Sequence, residues 1–107
     1  MTQVDEWNES VRKACHRYGV SAACTEGLAL YITHGIEPGS FLSAVLTNDL
    51  MGALGRADDQ NVRLLREYGM ILYNDSPSGC YGSPERFAAW IKAGGLNGMA
   101  LSRMAAE

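Results

Sequence analysis

Long apolar runs are missing from this chain. Its apolar residues come in stretches of a few at most, far short of the roughly 20 that a membrane-spanning helix requires. The first residues, Met1-Thr2-Gln3-Val4-Asp5-Glu6, are acidic and hold no signal-peptide core. A soluble cytoplasmic protein, off the membrane, is expected. A basic excess is missing too: nine Lys and Arg face twelve Asp and Glu, for a net charge of −3. Surfaces that neutralise phosphates normally carry a clear basic excess. Cysteines are few and odd in number. Cys15, Cys24 and Cys80 lack the close pairing of a zinc site and read as buried free thiols. Only two histidines, His16 and His34, are present, and the acids are scattered. Neither Gly-x-Gly-x-x-Gly nor Gly-x-x-x-x-Gly-Lys-Ser/Thr occurs. No metal and no cofactor is expected.

What is present is helical periodicity, in a chain of 107 residues that fits one domain. Val4, Trp7, Val11, Ala14, Cys15 and Tyr18 fall on one face. Acids lead that stretch and bases close it, matching the helix dipole, and Gly19 ends it. A second helix runs from Ala22 or Thr25 to His34, with Leu28, Tyr31 and Ile32 inward and Gly35 as its stop. Pro38 cannot continue it. Ser40 is expected to cap a third helix that buries Phe41, Leu42, Val45, Leu46, Leu50 and Leu54. Asp58 or Asp59 should cap a fourth, with Val62, Leu65, Tyr68 or Gly69, and Leu72 as its inner stripe. Gly69 costs that helix about 1 kcal/mol against Ala. The cost implies a close helix crossing or a switch to extended chain through Met70-Ile71-Leu72-Tyr73, and the helix is the preferred reading. Asp75 to Ser83 is a loop rich in Ser, Gly and Pro. Ser83-Pro84-Glu85 then opens a fifth helix carrying Phe87, Trp90 and Ile91, stopped by Gly94-Gly95. Residues 96–107 form either a docked sixth helix or a frayed tail. The expected fold is an all-α compact bundle of about five to six short helices.

Few side chains invite chemistry. Counted along an unbroken third helix, Asp49 shares the apolar face with Leu42, Val45 and Ala53. A buried carboxylate needs a partner. Asn48 and Asp49 are therefore expected to latch the Ser76–Ser83 loop through hydrogen bonds, with a general base as the sharper alternative. Cys80 lies in that loop, and a catalytic thiolate would need His16 or His34 within reach. No signature surrounds it. Tyr81, between Gly79 and Gly82, either anchors a partner or folds back over Pro77 or Pro84. Arg12, Lys13 and Arg17 read as a solvated face. So do Arg56, Arg63 and Arg66, which would otherwise line one helical surface for nucleic acid.

Three blocks carry a family resemblance. They are Leu30-Tyr31-Ile32-x-x-Gly35-Ile36-x-Pro38-Gly39-Ser40-Phe41-Leu42-x-Ala44-Val45-Leu46-x-Asn48-Asp49-Leu50, then Gly55-Arg56-Ala57-Asp58 with Asn61, then Leu72-Tyr73-Asn74-x-x-Pro77-Ser78-Gly79-Cys80-x-Gly82-Ser83-Pro84-Glu85. Over residues 28–90 the chain resembles a family of small proteins from tailed phages and prophages of bacteria. The resemblance implies no catalytic residues. It implies an accessory factor of the host cytoplasm, similar in size and charge to anti-CRISPR proteins, that binds and blocks a host protein complex such as a CRISPR effector. Asp58, Asp59, Asp75 and Glu85 would present negative charge to such a partner, with Tyr81 as anchor. The alternative is a nucleic-acid-associated factor of phage replication or transcription acting through Arg56, Arg63 and Arg66. A homodimer through a patch of Trp90, Met99 and Met104 is a further expectation.

Overall fold

Helix ends carry the most explicit local signals in this sequence, and they set the architecture. The computed structural model describes residues 2–106, apart from the side chain of Ala106. Its order is α1 (Gln3–Tyr18), α2 (Ala22–His34), α3 (Ser40–Leu46), α4 (Leu50–Arg56), α5 (Asp59–Arg63), α6 (Leu65–Asp75), a 3-10 turn (Ser78–Cys80), α7 (Pro84–Ala93) and α8 (Gly95–Ala106). The fold is all-α, with no strand among the described residues. Thr2 caps α1 and Asp5 reaches back to it, so each satisfies an orphan amide of the other. Ser21, Asp58 and Ser83 cap α2, α5 and α7 through their side chains. Gly19, Gly35 and Gly94 end α1, α2 and α7.

Among the described residues eight helices stand where five or six were expected, because two of the anticipated helices are bent into pairs. The first bend is at Asn48-Asp49. Asn48 adopts φ +66, its amide bonds to Val45 C=O at 3.1 Å, and the Asp49 amide reaches Ala44 C=O at 2.9 Å. That is the Schellman closure of α3, with Asn in the left-handed position that only Gly fills more easily. Asp49 then turns donor to acceptor: its carboxylate takes the Gly52 amide at 2.9 Å and caps α4. A Cβ on Gly52 would occupy the space of the Asp49 carboxylate, so a larger residue there would displace the cap. The second bend is at Leu64 (φ −99, ψ 10) between α5 and α6. It turns Asn61 into the core and Val62 outward. The buried Asn61 is satisfied by the Tyr68 hydroxyl, which donates to its Oδ1 at 2.8 Å.

These bends overturn several assignments made on unbroken helices. Leu50, Leu54 and Val62 face solvent, while Ala53 is buried. Ser40 is the first residue of α3 and makes no cap, the capping position being Gly39. α6 runs through Gly69 without a switch to extended chain. The tail is helical, its first half docked on α2 and α7 and residues 101–105 exposed.

One core joins the elements. Val11 and Cys15 of α1 meet Leu28, Tyr31 and Ile32 of α2, Phe41 and Leu46 of α3, Tyr68 and Ile71 of α6, and Trp90 of α7. Tyr31 stacks on Phe87 at 5.3 Å, and Phe41 meets Tyr68 edge-on at 5.2 Å. α2 and α8 approach through bare backbone: a Cβ on Gly35 would stand 2.7 Å from the Gly95 nitrogen, and one on Gly95 would stand 2.6 Å from the Gly35 nitrogen. Both glycines also hold positive φ. The radius of gyration is 13.4 Å, close to the ~13 Å of a compact chain of this length. No described helix is long and apolar enough to cross a membrane.

Candidate functional site

The Pro77–Ser83 segment is locked from three sides. The Tyr31 hydroxyl donates to Cys80 C=O at 2.6 Å. The Gly82 amide donates to Leu46 C=O at 2.9 Å, satisfying a carbonyl at the end of α3. The Cys80 thiol points to Ser76 Oγ at 3.6 Å, and Ser76 Oγ donates to Leu72 C=O at 2.6 Å. Trp90 Nε1 holds the other side of Tyr31 by donating to the carbonyls of Tyr31 and Ile32 at 3.0 and 3.2 Å. The expected latch by Asn48 and Asp49 is therefore corrected. Both side chains are exposed, Asp49 serves α4, and the loop is held one turn earlier by a backbone carbonyl.

Reactive groups do not converge. Cys80 is fully buried, and burial pushes its thiol up to about 11, away from the depressed value a nucleophile needs. Its recorded partner is Ser76, with neither histidine beside it. His34 Nδ1 pairs with Thr33 Oγ1 at 2.8 Å, and His16 lies exposed on α1. Burial likewise raises the Cys15 thiol and the Tyr31 and Tyr68 hydroxyls. Among the described residues no three of His, Cys, Asp and Glu are grouped as metal ligands.

The charged candidates are dispersed. Asp58 accepts the Asn61 amide at 2.7 Å as the α5 cap, and Asp59 is exposed in the first turn beyond it. Asp75, at the far end of α6, pairs with Arg17 at 3.6 Å and accepts from Ser10 Oγ at 3.4 Å. Asp58 caps the start of α5 and Asp75 closes α6, so they stand at opposite ends of the α5–α6 pair. Glu85 is exposed in the first turn of α7. The three arginines do not share one helical surface. Arg56 ends α4 and donates to Gly52 C=O at 3.2 Å, and the extended Ala57-Asp58 link separates it from Arg63 and Arg66. In the first basic cluster, Arg12 pairs with Glu26 at 2.7 Å, Lys13 with Glu9 at 2.7 Å and Arg17 with Asp75 at 3.6 Å. Each cation there already has an anion.

What the packing does create is an apolar groove. The α3–α4 corner supplies Val45, Leu50 and Ala53, α6 supplies Leu65, Gly69 and Leu72, and Tyr81 lines it from the locked loop. Its volume is about 250 Å³. Asn48 and Asp49 form its polar margin, and Asp49 is the one charged lining residue. Leu50 and Met51 on α4 are 60% and 74% exposed. Within α6, Tyr73 stands one turn beyond Gly69 and is 79% exposed. Gly69 has nothing within 4 Å of where a Cβ would be, so among the described residues the crossing helix expected against it is absent. Of the partner-binding residues read from sequence, Tyr81 alone belongs to the groove. Leu50 and Gly69 were missed. The Gly inside an apolar helix pattern was the available signal, and no neighbour among the described residues comes within 4 Å of where its Cβ would be. Nor does the expected patch of Trp90, Met99 and Met104 form: Trp90 is buried with its N–H engaged, and Met99 packs against the core. Comparison with protein-family models, with curated proteins and with solved structures finds no match to this chain.

Proposed function

We infer that the chain is a non-catalytic binding protein that seats part of a partner protein in the groove between α4 and α6. Gly69 carries this reading. It lowers helix stability by about 1 kcal/mol relative to Ala, no neighbour among the described residues requires it, and it lines the apolar groove from an exposed position. Leu50, an exposed lining residue, gives the groove apolar area of the kind that marks interaction surfaces. The dispersion of Cys80, His16, His34 and Asp49 supports a role without catalysis.

The phage resemblance supports a host complex as the partner, and anti-defence inhibition of the anti-CRISPR type as the outcome. The groove would provide the anchor, Tyr81 part of its wall, and exposed acids such as Asp59 and Glu85 a surrounding negative field. The test is capture from a bacterial host lysate, with and without nuclease, by the native chain and by Leu50→Glu and Gly69→Leu. A stoichiometric partner that survives nuclease and is lost by both variants at unchanged helicity is expected. A partner retained by both variants would place binding elsewhere. Recovery of nucleic acid alone, or of partners lost with nuclease, would favour the accessory factor acting through Arg56, Arg63 and Arg66.

A further inference from the structure

Two of the three thiols face each other across the seam between α1 and α2. Residues 19–21 turn α2 back along α1, and the Arg12–Glu26 pair at 2.7 Å sets the register of the two helices. One turn from Arg12 toward the connection stands Cys15, and the matching step back from Glu26 reaches Ala23 and Cys24. Cys15 is fully buried in the core, and Cys24 packs against the same core while staying partly exposed. The neighbours of Cys15 agree with that register. Burial raises its thiol, the Thr25 hydroxyl opposes the shift, and the Cys24 thiol adds to it. The Cys24 sulfur rests on the buried Asn61 of α5, whose Nδ2 donates to it at 3.8 Å and whose Oδ1 stands 3.9 Å away. Asn61 also accepts from the Tyr68 hydroxyl at 2.8 Å. Redox-sensing cysteines are accessible and poised beside a resolving thiol, and Cys24 with Cys15 meets both conditions. Cys80 meets neither, being fully buried with Ser76 as its partner.

We propose that Cys15 and Cys24 form a reversible disulfide in the presence of hydrogen peroxide, and that the bond loosens α5 from α2. The Cys24 sulfur attacks one peroxide oxygen, the O–O bond breaks, and Cys24 becomes a sulfenic acid as one water leaves with the thiol proton. The Cys15 sulfur then attacks the sulfenic sulfur. The S–S bond forms, the S–O bond breaks, and the hydroxide leaves as a second water with the Cys15 proton. Two thiols are oxidised and one peroxide is reduced to two waters. To reach Cys15, the Cys24 side chain turns away from Asn61, which loses its sulfur contact and keeps the Tyr68 hydroxyl. The site is separate from the groove, so the proposal stands whatever the groove receives.

Purified native chain is treated with an equimolar amount of hydrogen peroxide, alkylated, and cut with trypsin without reduction. Cleavage after Lys13, Arg17 and Arg56 puts Cys15 in peptide 14–17 and Cys24 in peptide 18–56. A disulfide joins these two peptides with a mass loss of about 2 Da. That species should be the main oxidised product and should revert with dithiothreitol. Hydrogen exchange at the Val62 amide, which bonds to Asp58 C=O within α5, should speed up about threefold or more in the oxidised protein. Cys24→Ser, at a partly exposed position, should give no disulfide and no peroxide effect on α5. Thiols that stay free, oxidation that stops at a sulfinic acid on Cys24, or a disulfide that involves Cys80 or joins two copies overturns the proposal. So does a Cys15–Cys24 bond that leaves α5 exchange unchanged.

Discussion

Gly35 and Gly69 stand in opposite surroundings. Gly35 closes α2 at positive φ, with the backbone of Gly94 and Gly95 pressed into the space of its missing side chain. Gly69 sits mid-helix with ordinary geometry and open space around it. The first region, where α2 meets α7, α8 and the Pro77–Ser83 segment, is closed: the Tyr31 O–H and the Trp90 N–H are bonded to carbonyls. The second, between α4 and α6, leaves apolar side chains uncovered. A glycine that the fold needs and a glycine that the fold would be more stable without point to different kinds of selection. The first serves assembly of the chain; the second, in the proposed reading, serves an occupant of the groove.

Identical substitutions should expose that difference through their sign. Gly35→Ala or Gly95→Ala is expected to lower stability by about 3–4 kcal/mol, combining left-handed strain with a backbone clash. Urea unfolding followed by circular dichroism measures it. A loss below about 1 kcal/mol would mean the two helices separate without cost. Alkaline pH tests the closed region next. The Cys80 thiol is raised from its ordinary 9.0 to about 11 by burial, so its neutral form favours the fold. That contribution is full below pH 9 and disappears as pH rises through about 11, a loss of at most about 3 kcal/mol. The raised Tyr31 and Tyr68 hydroxyls add to the decline with the same sign. Cys80→Ala should flatten the part of the profile between pH 9 and 11.

Tyr31→Phe removes the donor to Cys80 C=O and should cost about 1–2 kcal/mol, with faster hydrogen exchange at Gly82. Asp49→Ala should cost about 1 kcal/mol through the lost α4 cap. Exchange in the Pro77–Ser83 segment should be unchanged, because Asp49 does not hold it. The smallest effect has the reverse sign: Gly69→Ala should raise stability by about 0.5–1 kcal/mol. A destabilising Gly69→Ala would erase the contrast.

How much was legible in sequence follows the reach of each signal. Ser83-Pro84-Glu85, Gly19, Gly35 and Asp58 act within a single turn, and the structure places helix ends at each. Asn48-Asp49 was misread because counting faces assumes a continuous helix. The count put Asp49 in the core, when the pair was a local corner: Asn tolerates the left-handed position, and Asp with Gly three residues on is a cap. The same error placed Val62 inside and overlooked Asn61. The groove was beyond reach for another reason. It exists only where the α3–α4 corner, α6 and Tyr81 meet, and no stretch of sequence contains that meeting. The phage resemblance and the inhibitor reading remain tied to the quoted motifs and to the groove's chemistry.

One paired measurement bears most directly on the claim that Gly69 serves an occupant rather than the fold. Gly69→Leu and the native chain are compared in thermal unfolding and in capture of the nuclease-resistant host partner. The account predicts an equal or higher melting temperature together with loss of capture. Retained capture, or lost capture accompanied by a collapsed melting temperature, would contradict it.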